Sequence, residues 1–485
     1  MNLISKLSLA VTLILYLVLG LSYSEKQGFW HDEMYTLSFL KGVSIYNFEG
    51  SIWSKQDTIY DVNHFKTLLA EDNFYSNFPT QILHEGHPPL YFILLKPWSY
   101  VFGYSELALR SFSLCCGLIS LLVLFNLFRK KAKQTYTTWL VLIMLIFNPF
   151  LFYFFTEARM YALAFLLAVL SFRYWIVYQE DRKIKSFAFL FFCLSSIGLL
   201  YTHYYGLFFL STLALVELLK FGFNRSILNH CIAFLSLLPW APAIRKQMSF
   251  HDVHWTDGII SFGDSIIGYF GGINHLLVSP IANPVTYETV MMMVILTIMV
   301  VFLFIKERKF TLILLAAILI YGLQVYVFDQ LVGHHTILVP RYYIFSLIFI
   351  YWGFYKLIDI SYKFVSLLFP LTYSIITGIV IFQIYQLERD SKQMFREVAG
   401  FVDSQVDSKT RILVFEPEGV LMVGIAYYLQ NNFKLVSAHK TTDELESSAV
   451  FIDEMLGVEY CENKYHLEEQ NKLEFIPFVA VNLYK

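Results

Sequence analysis

The sequence predicts an all-α polytopic membrane protein that ends in a small α/β domain. Three observations carry that expectation. Of 485 residues, 57% are hydrophobic and only 15% charged, with a mean hydropathy of +0.54; a soluble domain is about a quarter charged. Apolar runs approaching the roughly 20 residues that cross a bilayer as a helix recur from the N-terminus to residue 384. Beyond residue 388 charges become frequent and the apolar runs shorten.

The first apolar run follows Lys6 and covers 7–21. It is long for the core of a secretory signal and no small-residue cleavage site follows it, so it is expected to stay as the first membrane helix. About eleven spanning helices are expected, at 7–23, 106–128, 137–155, 160–178, 186–201, 205–219, 227–244, 290–305, 310–327, 342–357 and 364–384. Lysine and arginine set their orientation, because short cytoplasmic loops carry the excess positive charge. One loop holds Arg129, Lys130, Lys131 and Lys133, and another holds Arg182, Lys183 and Lys185. Three more hold Lys220 with Arg225, Lys306 with Arg308 and Lys309, and Lys356 with Lys363. The alternate short loops hold chiefly Arg159 and Arg341. An integral protein of the cell (inner) membrane is expected, with its N-terminus cytoplasmic and its C-terminal domain external.

Two external segments, 24–105 and 245–289, are far longer than ordinary connections. The first is rich in aromatic and aliphatic residues. Within it, 63–69 and 89–101 read as helices on the membrane surface, with Trp98 and Tyr100 at headgroup level. The second carries a glycine-rich bend at Gly271 and Gly272. In the C-terminal portion, 411–415 (RILVF) reads as a buried strand, 420–430 as a helix, and 433–436 and 450–452 as strands. Such alternation marks a small α/β domain. The expected division is therefore 1–387, a transmembrane domain with a long first external loop (24–105), and 388–485, an external soluble domain. There is no internal repeat or low-complexity tract.

The net charge of −2 and the lack of a basic tract with interleaved aromatics argue against a nucleic-acid partner. Cys115, Cys116, Cys193, Cys231 and Cys461 have no metal-ligand spacing and read as small packing residues.

Ionisable groups at a membrane edge are costly and invite a functional explanation. Four clusters fall on the expected external side. In FWHDE (29–33), His31, Asp32 and Glu33 follow two large aromatics. A carboxylate there suits a general base acting on a hydroxyl, and carboxylates beside histidine also suit a divalent cation; a helix cap is the plain alternative. In HEGHPPLY (84–91), Pro88 and Pro89 fix the backbone and present Glu85 and His87 as ligands or acceptor contacts, or simply make a rigid turn. In TEARMY (156–161), Arg159 suits bidentate phosphate binding, with Glu157 as an alternative structural partner. In VPRYY (339–343), Arg341 again breaks the charge bias after His334 and His335; interfacial snorkelling is the alternative. His203, in YTHYY (201–205), joins His31, Glu85 and His87 as a candidate acceptor or sugar contact, against a simple aromatic belt.

Taken in order, FWHDE after the first helix, HPPLYFILLKPWSYVFGYSELALRSFS, EARMYAL, THYYGLFFL, LLPWAPAI and PRYYIFSLIF resemble the GT-C membrane glycosyltransferases. The resemblance is to the protein O-mannosyltransferase and lipid A aminoarabinose transferase type. It is strongest to bacterial relatives with the dolichyl-phosphate-mannose-protein mannosyltransferase-like domain, and it samples 29–350. It implies a GT-C-like fold, a polyprenyl-phosphate-sugar donor, an external active site and an acidic residue of the first outer loop as general base. That role falls to Asp32, with Glu33 beside it, and the donor phosphate falls to Arg159 and Arg341. Metal dependence varies within such enzymes, so a divalent cation at Asp32 or Glu85 stays open; no other cofactor is implied. The acceptor is a lipid, glycan or protein, and membrane lipids are the remaining partner. The rival expectation is a transporter or flippase of lipid-linked sugars, which would place ionisable groups near midmembrane on discontinuous helices. Glu217 is one of few such groups, and it falls near a cytoplasmic end.

Overall fold

The computed structural model describes residues 3–26, 28–43, 59–181, 187–223, 227–250, 258–278, 287–361, 363–386, 395–406, 411–415, 420–437, 449–453, 469–475 and 479–484. Arg182, Lys183, Lys185, Arg225, Cys461 and the expected domain boundary near Glu388 lie outside these residues. The chain begins with α1 (Leu3–Lys26), α2 (His31–Lys41), β1 (Ile59–Asp61), α3 (Val62–Ala70), α4 (Phe74–Gln81), α5 (Leu90–Phe102) and α6 (Glu106–Lys131). Then follow α7 (Thr135–Ile146), α8 (Pro149–Phe155), α9 (Tyr161–Asp181), α10 (Phe187–Leu200), α11 (Gly206–Phe221), α12 (Ile227–Leu235) and α13 (Ala241–Phe250). After α14 (Phe262–Val278), α15 (Tyr287–Lys306), α16 (Arg308–Val332), α17 (Ser346–Ile360) and α18 (Lys363–Gln386) come the C-terminal elements. These are α19 (Phe395–Gln405), β2 (Arg411–Phe415), α20 (Val420–Tyr428), β3 (Lys434–Ser437), β4 (Ala449–Asp453), β5 (Glu469–Phe475) and β6 (Val479–Tyr484).

The chain divides into two compact units. The helical unit comprises Met1–Leu21, Glu85–Ile93 and Arg110–Gln383; the mixed unit comprises Ser22–His84, Leu94–Leu109 and Ile384–Lys485.

Each of the eleven expected spans contains helix, but length and apolarity qualify fewer as membrane spans. Among the described residues six helices pass: Lys6–Lys26, Glu106–Lys131, Tyr161–Gln179, Ile227–Ser249, Arg308–Val332 and Ser366–Gln383. A seventh is added if α7 and α8, which meet at 62°, form one broken span. α16 shows the membrane character best. Leu314, Ala317, Tyr321 and Val325 are buried on one side, while Leu312, Leu319, Leu323, Val327 and Leu331 are exposed. A helix apolar on both faces needs an apolar solvent on the outer one. The chain is an integral membrane protein.

Local chemistry explains where the expected spans break. Between α7 and α8, Pro149 takes the first helical position, where a missing N–H costs nothing. Asn148 caps α8 by accepting the Leu151 N–H at 2.7 Å. Its amide donates to the Leu276 carbonyl at 2.9 Å and the Tyr373 hydroxyl at 3.2 Å, so the bend is a satisfied buried node. Leu238–Trp240 and Pro340–Tyr343 are 3₁₀ turns, each containing a proline, so α17 starts only at Ser346. The expected bend at Gly271 and Gly272 is absent: both lie inside α14. Gly272 serves packing instead, since a Cβ there would fall 1.4 Å from the Tyr343 hydroxyl.

Three of the basic loops meet within the helical unit. The Lys133 N–H donates to Asp359 at 2.8 Å, Lys356 pairs with Glu307 at 3.0 Å, and Phe128 stacks on Tyr355 at 5.0 Å.

In the mixed unit a six-stranded sheet has the order β1-β3-β2-β4-β6-β5. β2 runs parallel to β3 and β4, and the other pairings are antiparallel. The sheet is not built from C-terminal residues alone. β1, from the long first loop, pairs Ile59 with Val436 and Asp61 with Lys434. Asp61 and Val62 lead straight into α3, whose first N–H, at Val62, donates to the Phe433 carbonyl at 3.0 Å.

Candidate active site

Four of the motifs converge within the helical unit, around His203. Backbone hydrogen bonds bring them there. The Leu90 N–H donates to the Tyr201 carbonyl at 2.9 Å, docking HEGHPPLY on the α10–α11 turn. The Gln247 amide donates to the His87 carbonyl at 3.4 Å, and its oxygen accepts a short hydrogen bond from the Tyr204 hydroxyl. The Ser113 hydroxyl donates to the Arg159 carbonyl at 3.3 Å, fixing the turn before α9. The loop that bears Arg341 is held from α16. Gly333 ends that helix in the left-handed conformation (φ 83°), and Asp329 accepts the Ile337 N–H at 2.7 Å and the Thr336 hydroxyl.

The side chains then pack closely. His203 lies with its ring centroid 5.9 Å from His87, 5.6 Å from Tyr161 and 6.1 Å from Tyr342. Tyr342 stacks on Tyr205 at 4.6 Å, and the Arg341 guanidinium lies 5.7 Å from the Tyr342 ring centre. Glu85 and Arg159 are buried, and the Glu85 carboxylate accepts from His87 Nδ1 at 2.7 Å. That bond places a proton on His87 Nδ1.

His203 is 3% exposed. Burial first, and then the charges of His87, Arg159 and Arg341, hold its pKa well below the ordinary histidine value. The ring is therefore neutral. Its Nδ1 accepts the Tyr205 N–H at 3.2 Å, which assigns the proton to Nε2. Nε2 is buried and has no hydrogen-bond partner among the described residues. A buried donor beside two guanidinium groups suits an anionic or strongly accepting oxygen, because an unmet buried donor costs about 1–3 kcal/mol.

The acidic motif FWHDE belongs to the mixed unit and opens α2. The Trp30 carbonyl accepts the N–H groups of Glu33 and Met34, each at 2.9 Å, and Glu33 reaches back to the Trp30 N–H at 3.4 Å. Glu33 is fully buried in that capping arrangement, with the helix dipole favouring its charge. Asp32 and His31 are part-exposed, and His31 stacks on Tyr35 at 5.2 Å. Of the two carboxylates, only Asp32 keeps exposed surface. At the other end, Gly42 closes α2 with φ 72°, and a Cβ there would lie 2.3 Å from the Asn73 carbonyl carbon. Among the described residues no three His, Cys, Asp or Glu side chains gather to hold a metal ion.

The sequence singles out neither Gln247 nor Asp329, and it includes Tyr204 only as part of YTHYY. Each is an ordinary polar residue whose role appears only once distant segments meet.

No family model matches the chain, and no curated protein matches it. Among solved structures it is similar to ArnT from Cupriavidus metallidurans bound to undecaprenyl phosphate, with a TM-score of 0.48 and 9% identity over 99% of this chain and 97% of that one. It is similar also to the same protein in the apo state, with a TM-score of 0.44 and 9% identity over 93% and 97%. ArnT is a lipid A aminoarabinose transferase of the GT-C fold, one of the types its motifs resemble. At this identity the likeness assigns no residue a role.

Proposed function

We propose that the chain is a glycosyltransferase that moves a sugar from a polyprenyl-phosphate carrier to an acceptor on the external face of the membrane. The observation that carries this is the His203 cluster. Arg159 and Arg341 come from turns far apart in sequence, and both act on one buried neutral histidine whose Nε2–H has no acceptor among the described residues. A lipid phosphate supplies that acceptor at the depth where such turns lie. As the glycosyl bond to phosphate breaks, negative charge grows on the leaving oxygen, where preorganised donors stabilise most. Asp32 takes the proton of the attacking hydroxyl as general base; Glu33 caps the helix that bears it. His31, Glu85 and His87 serve the sugar or acceptor, and His203 serves the phosphate as well as, or in place of, the sugar.

Two variants test the reading. Arg341→Ala should weaken binding of undecaprenyl phosphate, used as the probe, by about 10–100-fold, the worth of a hydrogen bond to a charged group. Unchanged affinity would return Arg341 to interfacial snorkelling. Asp32→Asn should bind the probe normally yet lose about 10²–10⁴ in transfer from polyprenyl-phosphate mannose or aminoarabinose to envelope material. Near wild-type transfer removes the general base.

We also propose eleven spans, with the N-terminus cytoplasmic, the inner membrane as the location, and 388–485 outside. Reporter fusions at Lys131 and Asp390 should score opposite compartments; the same compartment for both defeats this topology. The transporter or flippase reading gains nothing from Glu217, which falls near the cytoplasmic end of its helix. Glu217 accepts from Trp175 at 2.9 Å and faces His230 at 3.6 Å, a compact buried pairing.

A further inference from the structure

We infer that the C-terminal segment is a positioning device for Asp32, acting through a hydrogen-bonded node of Tyr428, Glu106 and Arg396. The inference rests on the reading of Asp32 as the base. All the residues involved lie in the mixed unit.

The geometry centres on the entry to α2. The Phe29 N–H, three residues before Asp32, donates to the Tyr428 hydroxyl at 2.6 Å. That hydroxyl in turn donates a short hydrogen bond to Glu106 at the start of α6. Arg396, on α19, pairs with the same Glu106 oxygen at 2.6 Å. Its other terminal nitrogen faces the carbonyls of Glu25 and Lys26, at 3.4 and 3.3 Å, where α1 ends. One guanidinium therefore ties the end of α1 to the start of α6, and one phenol ties both to the backbone leading into α2. Burial of Arg396 alone would weaken its charge, but the Glu106 carboxylate more than offsets this and holds its pKa above the usual arginine value.

Packing makes the node rigid. Phe29 is fully buried, with its ring 5.9 Å from Tyr427. A Cβ at Gly28 would sit 3.0 Å from Arg396 Cβ and 3.3 Å from the Tyr428 hydroxyl, so a larger residue there would require these neighbours to give by a few tenths of an ångström. The backbone at 28–30 is thereby fixed on one side by α19 and α20, and Glu33 caps the other. The node acts on Asp32 through the placement of the α2 N-terminus. A misplacement of about 1 Å can cost about 10²-fold in rate, which is why such a brace matters to a base.

The test uses Tyr428→Phe in the full-length protein in detergent, with Arg396→Lys as a second variant that keeps charge but loses the forked contact. Hydrogen exchange at 28–36 reads the placement directly, without reference to activity. Loss of one hydrogen bond should raise exchange at the Phe29 amide and the first turn of α2 by about three- to tenfold, with the rest of the chain unchanged. Transfer from polyprenyl-phosphate mannose or aminoarabinose should fall about tenfold in kcat with donor KM unchanged. In the Asp32→Asn background Tyr428→Phe should cost nothing further, because both act on one step. Unaltered exchange in both variants overturns the node. Raised exchange with unaltered kcat overturns its role in the reaction. Full activity of Asp32→Asn alone defeats the base assignment and leaves the node to be judged by exchange.

Discussion

His203 and Lys96 are both buried basic side chains, one in each unit, and they are held in opposite states. Lys96 lies on α5 with no exposed surface. It donates to both oxygens of Asp72, at 2.6 and 2.8 Å, to the Leu40 carbonyl at 2.7 Å and to the Tyr104 hydroxyl at 2.8 Å. Burial would lower its pKa, but the hydrogen bonds from Asp72 and Tyr104 more than offset this and keep it charged. His203 has aromatic rings and cations about it, so burial and neighbouring charge act together and keep it neutral. Burial alone thus does not decide protonation; the partners do. Every proton of the Lys96 ammonium has an acceptor within the protein, which marks a structural brace at the C-terminal end of α2. The His203 Nε2–H has none among the described residues, and the proposed function assigns it the lipid phosphate.

The largest effect that would break this contrast is on ligand binding. His203→Phe keeps an aromatic ring among Tyr161 and Tyr342 and deletes the Nε2–H. Affinity for undecaprenyl phosphate should drop about 10–100-fold, while the melting temperature in detergent stays close to wild type. A variant that melts early yet binds normally would make His203 a packing residue like its aromatic neighbours.

Next comes stability. Lys96→Met should destabilise the protein by about 2 kcal/mol, since it removes a charged hydrogen-bond hub. The loss is moderated because the Asp72 side chain is 32% exposed and is rehydrated when its partner goes. Affinity for the lipid phosphate should not change in the folded fraction. A binding defect without a stability defect would place Lys96 with His203 rather than opposite it.

How much of this could be read in advance follows from range. The motif residues stood out as candidates because their types are improbable at a membrane edge: Arg159 and Arg341 break the charge bias, and Asp32 with Glu33 stands beside His31. The strand RILVF was legible as a β-branched run, and the observed strand has the same bounds. The break at Asn148 was missed because Pro149 sits in an otherwise continuous apolar stretch. The bend at Gly271 and Gly272 was misread because Gly272 answers to Tyr343, some 70 residues on, not to the local backbone. Lys96, Tyr428 and Arg396 gave no signal at all. Their partners lie at separations from 8 to 399 residues, and no local spacing encodes such pairings.

The smallest effect is on pH dependence, and it separates the two groups by direction. The folded pKa of His203 is held below the ordinary 6.5. As pH falls below about 6.5 the unfolded chain takes up a proton at this position and the folded chain does not. Its contribution to stability is therefore full above that pH and declines below it, by at most about 1.4 kcal/mol per unit. Lys96 has its folded pKa raised above 10.5, so its contribution is full below 10.5 and is lost as pH rises through the folded value. Asp72, with a folded pKa lowered from 3.8, contributes fully above 3.8 and loses that only as pH falls further. Between pH 7 and 5 only His203 of these three changes its balance. Melting temperatures of wild type, His203→Phe and Lys96→Met across that window should show a shallower decline in His203→Phe and a wild-type slope in Lys96→Met. Other histidines add a common background that the differences remove. A wild-type slope in His203→Phe would mean that the ring does take a proton in the folded protein, and the Nε2–H proposed to meet the phosphate would lose its neutral, preorganised state.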